Sequence, residues 1–144
     1  MQIKILRIGI LFALLTIASL SRAQGGSWST LAMIKYVDVA QVEEDNTILK
    51  MIRDLEGEEM VLKGYIIPLE GKKAQAHLMF SAYPYANCFF CGQAGIESVV
   101  EVFMKEGEAV EYSDKAIEIK GIFRYIPSSF DEIMYKLENA TVVE

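Results

Sequence analysis

Residues 116–125 read Ala-Ile-Glu-Ile-Lys-Gly-Ile-Phe-Arg-Tyr, and this order decides the fold. Ile117 and Ile119 alternate with Glu118 and Lys120. Side chains of a strand point to opposite faces in turn, so this period of two describes a strand with one buried and one wet face. Gly121 breaks the alternation where a bend or bulge is expected.

Further strand-like runs lie to either side, at residues 61–69, 77–81, 98–103 and 135–143. Gly71-Lys72-Lys73 makes a tight turn after the first, while 83–95 and 124–134 are longer connections. Five strands of this size close into a small barrel. The expected fold is mainly β: a five-stranded, OB-like Greek-key barrel over residues 60–144, with a β-sandwich fragment as the alternative.

Upstream of the barrel the period changes. Ile48, Met51, Ile52 and Leu55 follow the spacing of one helix face, and Gly57 stands where a helix stops. A short amphipathic helix is expected there, within an N-terminal arm of residues 24–59. Trp28, Leu31, Ile34 and Val37 recur every third residue after Gly25-Gly26. That spacing suits a helical turn or an arm laid on the core.

Residues 1–23 have the grammar of a secretory signal peptide. Lys4 and Arg7 precede an apolar run of 13 residues from Ile8 to Leu20, and Ser21-Arg22-Ala23 follows. A bilayer-spanning helix needs about 20 residues. Cleavage after Ala23 is therefore expected, giving a periplasmic or secreted protein without a stable membrane span. The first cysteine is Cys88, so a lipid-attachment thiol near Ala23 is not expected.

Composition excludes some partners. Loss of residues 1–23, which hold Lys4, Arg7 and Arg22 and no acid, shifts the net charge from −6 to −9. An acidic domain repels nucleic acid, so the aromatic platforms that OB barrels use for single strands are not expected here.

The chemically distinctive stretch is Cys88-Phe89-Phe90-Cys91-Gly92. It admits three readings. The first is a disulfide between Cys88 and Cys91, suited to export and stabilising the loop by about 2 kcal/mol through chain entropy. The second is a metal site on Cys88, Cys91 and the lone His77, for zinc or copper. Three such ligands leave a position open, which Glu97 could fill. The third is a thiol-disulfide redox pair. That chemistry uses a helix N-terminus to lower a thiol pKa, and Gly92 and Gly95 disfavour such a helix. His77 reads first as an ordinary sheet residue. Tyr83, Tyr85, Phe89 and Phe90 are expected to form a lid on the barrel, or else an exposed patch.

No nucleophile elbow, phosphate-binding loop or histidine-rich metal motif occurs, so no catalytic or cofactor-binding residue is assigned. Asp131, Glu132, Glu97 and Glu101 read as solvated surface.

Val61-Leu62-Lys63-Gly64-Tyr65-Ile66-Ile67-Pro68-Leu69 and Tyr83-Pro84-Tyr85-Ala86-Asn87-Cys88-Phe89-Phe90-Cys91-Gly92 resemble the DUF3299 family of exported bacterial proteins, most closely its Bacteroidetes members. Residues 97–102, 120–123 and 137–140 extend the likeness toward the C-terminus. Gln93 and Ile96 stand where the family has a glycine and a proline, which implies a less tightly bent loop. The resemblance implies one OB-like exported domain over residues 24–144. It also implies a metal-related role beside an ABC transporter or another envelope protein. The resulting expectation is a non-enzymatic binding or accessory protein. A thiol-disulfide redox protein and a structural or interaction module are the alternatives.

Overall fold

Alternation along the chain builds the barrel strand by strand. The structure, a computed structural model, describes residues 27–37, 46–67, 73–127 and 133–143. The expected signal peptide, Gly25-Gly26, Gly71-Lys72, Asp131 and Glu132 lie outside the described residues. Strands are β1 (Glu59–Ile67), β2 (Ala74–Gln75), β3 (His77–Ser81), β4 (Val99–Met104), β5 (Val110–Glu111), β6 (Ile117–Tyr125) and β7 (Tyr135–Val142). β1, β3, β4, β7 and β6 form a closed barrel in that spatial order. The β4–β7 pair is parallel and the other four pairs are antiparallel. This is the expected five-stranded, OB-like barrel. The two-residue strands β2 and β5 add a small ribbon beyond the five expected strands.

Inward positions follow the period of two. β1 buries Met60, Leu62, Gly64 and Ile66 and exposes Glu59, Val61 and Lys63. β6 sends Ile119 and Phe123 into the same core, with Leu137 and Tyr135 of β7. Two glycines serve close approach. A Cβ on Gly64 would collide with the Ser81 carbonyl oxygen, so only glycine lets β1 pass β3 there. Gly121 sits where the β6–β7 register shifts, which is the bulge expected at that residue.

Two short helices close the barrel. α1 (Trp28–Leu31) runs on into a 3-10 turn, Ala32–Tyr36, burying Leu31, Ile34 and Val37 in the barrel core. The helical turn, rather than an extended arm, is therefore the form these apolar residues take. The Trp28 indole donates to the Lys63 carbonyl at 2.8 Å, and the Tyr135 hydroxyl donates to that of Leu31 at 2.9 Å. α2 (Thr47–Arg53) is the amphipathic helix expected near residue 50. Its buried face is rotated from expectation. Leu49 and Ile52 are in the core, while Met51 is exposed. Asn46 sets the start, its side-chain oxygen accepting from the Ile48 and Leu49 amides at 3.0 and 3.2 Å. Among the described residues no helix is long and apolar enough to cross a membrane.

Candidate functional site: the cysteine loop and its cleft

The segment between β3 and β4, residues 82–98, carries both cysteines. Its own hydrogen bonds shape it. Phe89–Cys91 form a 3-10 turn closed by Gly92 in the left-handed conformation, φ 69°. The Gly92 amide donates to the Phe89 carbonyl at 2.8 Å and the Gln93 amide to the Cys88 carbonyl at 3.4 Å. This paired closure is the Schellman pattern, in which glycine takes the left-handed place. Gln93 is thus accommodated as the residue after the glycine. No α-helix begins at the pair, as the glycine-rich continuation led one to expect.

The loop docks on the outer face of the sheet. Ile66, Leu78, Phe80 and Val100 point into the barrel, so their neighbours Ile67, Met79 and Val99 point out. Cys88 packs with these three in a second apolar cluster, bordered by Phe89, Ile96 and Ile133. The expected aromatic lid is therefore only partly formed, and not over the barrel core. Phe89 covers the outer cluster, whereas Tyr83, Tyr85 and Phe90 are exposed.

The cysteines are unbonded, Cys88 buried and Cys91 exposed. The disulfide expected to pin the loop is not formed. Burial of Cys88 and the backbone closure at Gly92 hold the turn in its place. The Cys91 thiol donates to the Tyr85 carbonyl at 2.8 Å. Desolvation in the loop, then the neighbouring Cys88 thiol, push the Cys91 thiol above its ordinary pKa.

His77 is engaged elsewhere. It opens β3, stacks on Phe103 with ring centroids 4.5 Å apart, and bonds Glu101 at 2.8 Å. Glu101 also meets the Lys136 ammonium at 3.0 Å. Partial burial works against the Glu101 carboxylate, but bonds from Lys136 and His77 outweigh it and hold its pKa below the usual range. Glu101 is thus the centre of a polar network across β3, β4 and β7, not the free surface acid the sequence suggested. Among the described residues no group of three or more His, Cys, Asp or Glu side chains converges. The structure brings Cys88 and Cys91 together. It does not bring His77 or Glu97 to them.

Beside the loop lies a feature with no sequence signal. A cleft of about 530 Å3 opens between the N-terminal helical segment and the loop. Trp28, Ala32 and Lys35 form one wall, and Tyr83, Asn87, Gln93 and Glu97 the other. Its residues come from segments some 50 positions apart in the sequence, so no local pattern could reveal it. The Glu97 carboxylate folds back over Gly95. A Cβ there would collide with the carboxylate oxygens, so Gly95 leaves the room that this placement uses.

No family model matches the sequence, and no curated protein does. One solved structure is similar: the crystal structure of a DUF3299 family protein from Pseudomonas aeruginosa PAO1. The likeness covers 86% of this chain and 98% of that one, at 16% identity and a TM-score of 0.48.

Proposed function

We propose that this chain is an exported, non-enzymatic binding protein that holds a soft metal ion, copper(I), on Cys88 and Cys91. The observation that carries the reading is the open thiol pair. Two unbonded cysteines stand three positions apart on one turn fixed by the Gly92 closure, Cys88 buried and Cys91 facing solvent. Thiolates favour soft ions. Copper(I) accepts two sulfur ligands, whereas a structural zinc takes four donors. The donor set therefore fits copper(I) better than zinc. The bound ion would supply only Lewis-acid affinity. Cys88 and Cys91 would bind it, and the outer cluster of Ile67, Met79 and Val99 would keep water from Cys88.

Redox catalysis has less support. Disulfide exchange uses a thiol activated at a helix N-terminus, and the cysteine pair sits on a three-residue 3-10 turn instead. Export is supported by the charged, apolar and small-residue order of residues 1–23. An envelope partner, such as an ABC transporter, fits the exposed aromatics Tyr85 and Phe90 on the same loop.

The test is an anaerobic competition between the reduced protein and a chromophoric copper(I) chelator. The expected result is one copper per chain taken from the chelator, with the transfer abolished in the Cys88→Ser, Cys91→Ser double variant. Absence of transfer, or equal transfer to the double variant, overturns the proposal.

A further inference from the structure

The cleft beside the cysteine loop is a site in its own right, and the inference drawn from it does not depend on the metal reading. Its volume, about 530 Å3, lies within the few hundred to 1,000 Å3 typical of small-molecule sites. Its helical wall is preformed. The Trp28 indole N–H is already committed to the Lys63 carbonyl at 2.8 Å, and its ring packs near Phe80 at 6.3 Å. What Trp28 offers a ligand is therefore apolar ring surface in a fixed position.

The charges on the walls are complementary to a particular class of molecule. Lys35 stands on the helical wall and Glu97 on the loop wall. Among the described residues neither belongs to an ion pair. The Lys35 ammonium rests over the Tyr36 ring at 5.0 Å, and Glu97 acts electrostatically on Tyr135. Opposite charges on the two walls of one cleft, in no ion pair among the described residues, are satisfied together by a ligand that carries both. The exposed amides of Asn87 and Gln93 sit between the cleft and the cysteine turn and offer donors and acceptors suited to a peptide group. A nucleotide or polyanion finds one cation and one repelling carboxylate.

We propose that this cleft binds a short zwitterionic ligand of the amino-acid or dipeptide class, its ammonium at Glu97, its carboxylate at Lys35 and its apolar part on Trp28.

The chain has one tryptophan, so its fluorescence reports on the cleft directly. The probes are L-alanyl-L-alanine and its N-acetylated, C-amidated form, titrated by fluorescence and in parallel by calorimetry, which reads binding whether or not the indole responds. Saturable binding of the free dipeptide is expected, at least about tenfold tighter than the blocked form, a difference of about 1.4 kcal/mol. Glu97→Gln and Lys35→Gln should each weaken the free dipeptide about tenfold and leave the blocked form unchanged. Both positions border solvent, and an unchanged thermal midpoint confirms that the variants fold. No heat or fluorescence change with either probe, equal affinity for both, or unaltered dipeptide binding by both variants overturns the proposal. Copper competition by Glu97→Gln should match the parent protein, which separates failure of this site from failure of the thiol site.

Discussion

At the scale of single residues, the outcome at the cysteine turn rests on how two neighbouring thiols share one site. Cys91 is exposed, yet its thiol is pushed above the ordinary value, first by desolvation and then by Cys88. A raised pKa preserves the unreactive thiol as pH rises through neutrality. Alkylation of Cys91 by iodoacetamide, followed by peptide mass spectrometry, should therefore reach half its limiting rate above the ordinary cysteine range. Cys88→Ala should move that midpoint down. A midpoint below the ordinary range would contradict this picture and favour a redox nucleophile. Gly92 gives a second expectation. Its φ is 69° and the space where a Cβ would stand is open, so Gly92→Ala meets no clash and suffers only the left-handed strain. The cost should be about 1–2 kcal/mol in chemical denaturation, a clean measure of how much the turn closure holds. The sequence announced Gly92 as a turn residue. The different settings of the two thiols were not legible, because they depend on Cys88 being packed against Ile67, Met79 and Val99 from the strands.

Among the elements, the strands were the most legible part of the chain. β3 matches its expected span, and the four other barrel strands shift by at most two residues at an end. Period-two alternation survives because one face of each strand must be buried whatever its neighbours are. The short pieces were less legible. Around α2, Ile48, Met51, Ile52 and Leu55 all fit the spacing of one face, yet the helix ends at Arg53 and Leu49 takes a buried place. A helix of under two turns can rotate to suit its contacts, and the capping Asn46 fixes where it starts. Asn46→Ala should cost about 1 kcal/mol of global stability, while Asn46→Ser or Asn46→Asp should retain most of it. Equal losses in all three would show that the side-chain oxygen is not the capping group. The β2–β5 ribbon was invisible because two-residue strands carry no period.

At the scale of the whole molecule, the described residues form a barrel capped by the segment around Trp28–Tyr36, with the cysteine loop laid on its outside. Barrel class follows from strand count and alternation, both local properties. The cleft and the Glu101 network do not, since they join residues distant in sequence. Glu101 ties β4 to His77 of β3 and Lys136 of β7, and its pKa is lowered by those bonds. A depressed carboxylate contributes stability above its ordinary pKa and loses it as pH falls through the depressed value. Urea midpoints measured from neutral to acid pH should therefore fall on the acid side, and Glu101→Gln should be less stable at neutral pH with a shallower acid decline. An unchanged acid limb in that variant would remove Glu101 as its cause. The proposed copper site consists of the thiol pair, and copper-edge X-ray absorption of the protein loaded with one copper(I) tests it most directly. The expected spectrum has two sulfur neighbours and no imidazole nitrogen. A nitrogen or carboxylate oxygen in the first shell, or a sulfur signal that survives in the Cys88→Ser, Cys91→Ser variant, would contradict a site made of these two cysteines.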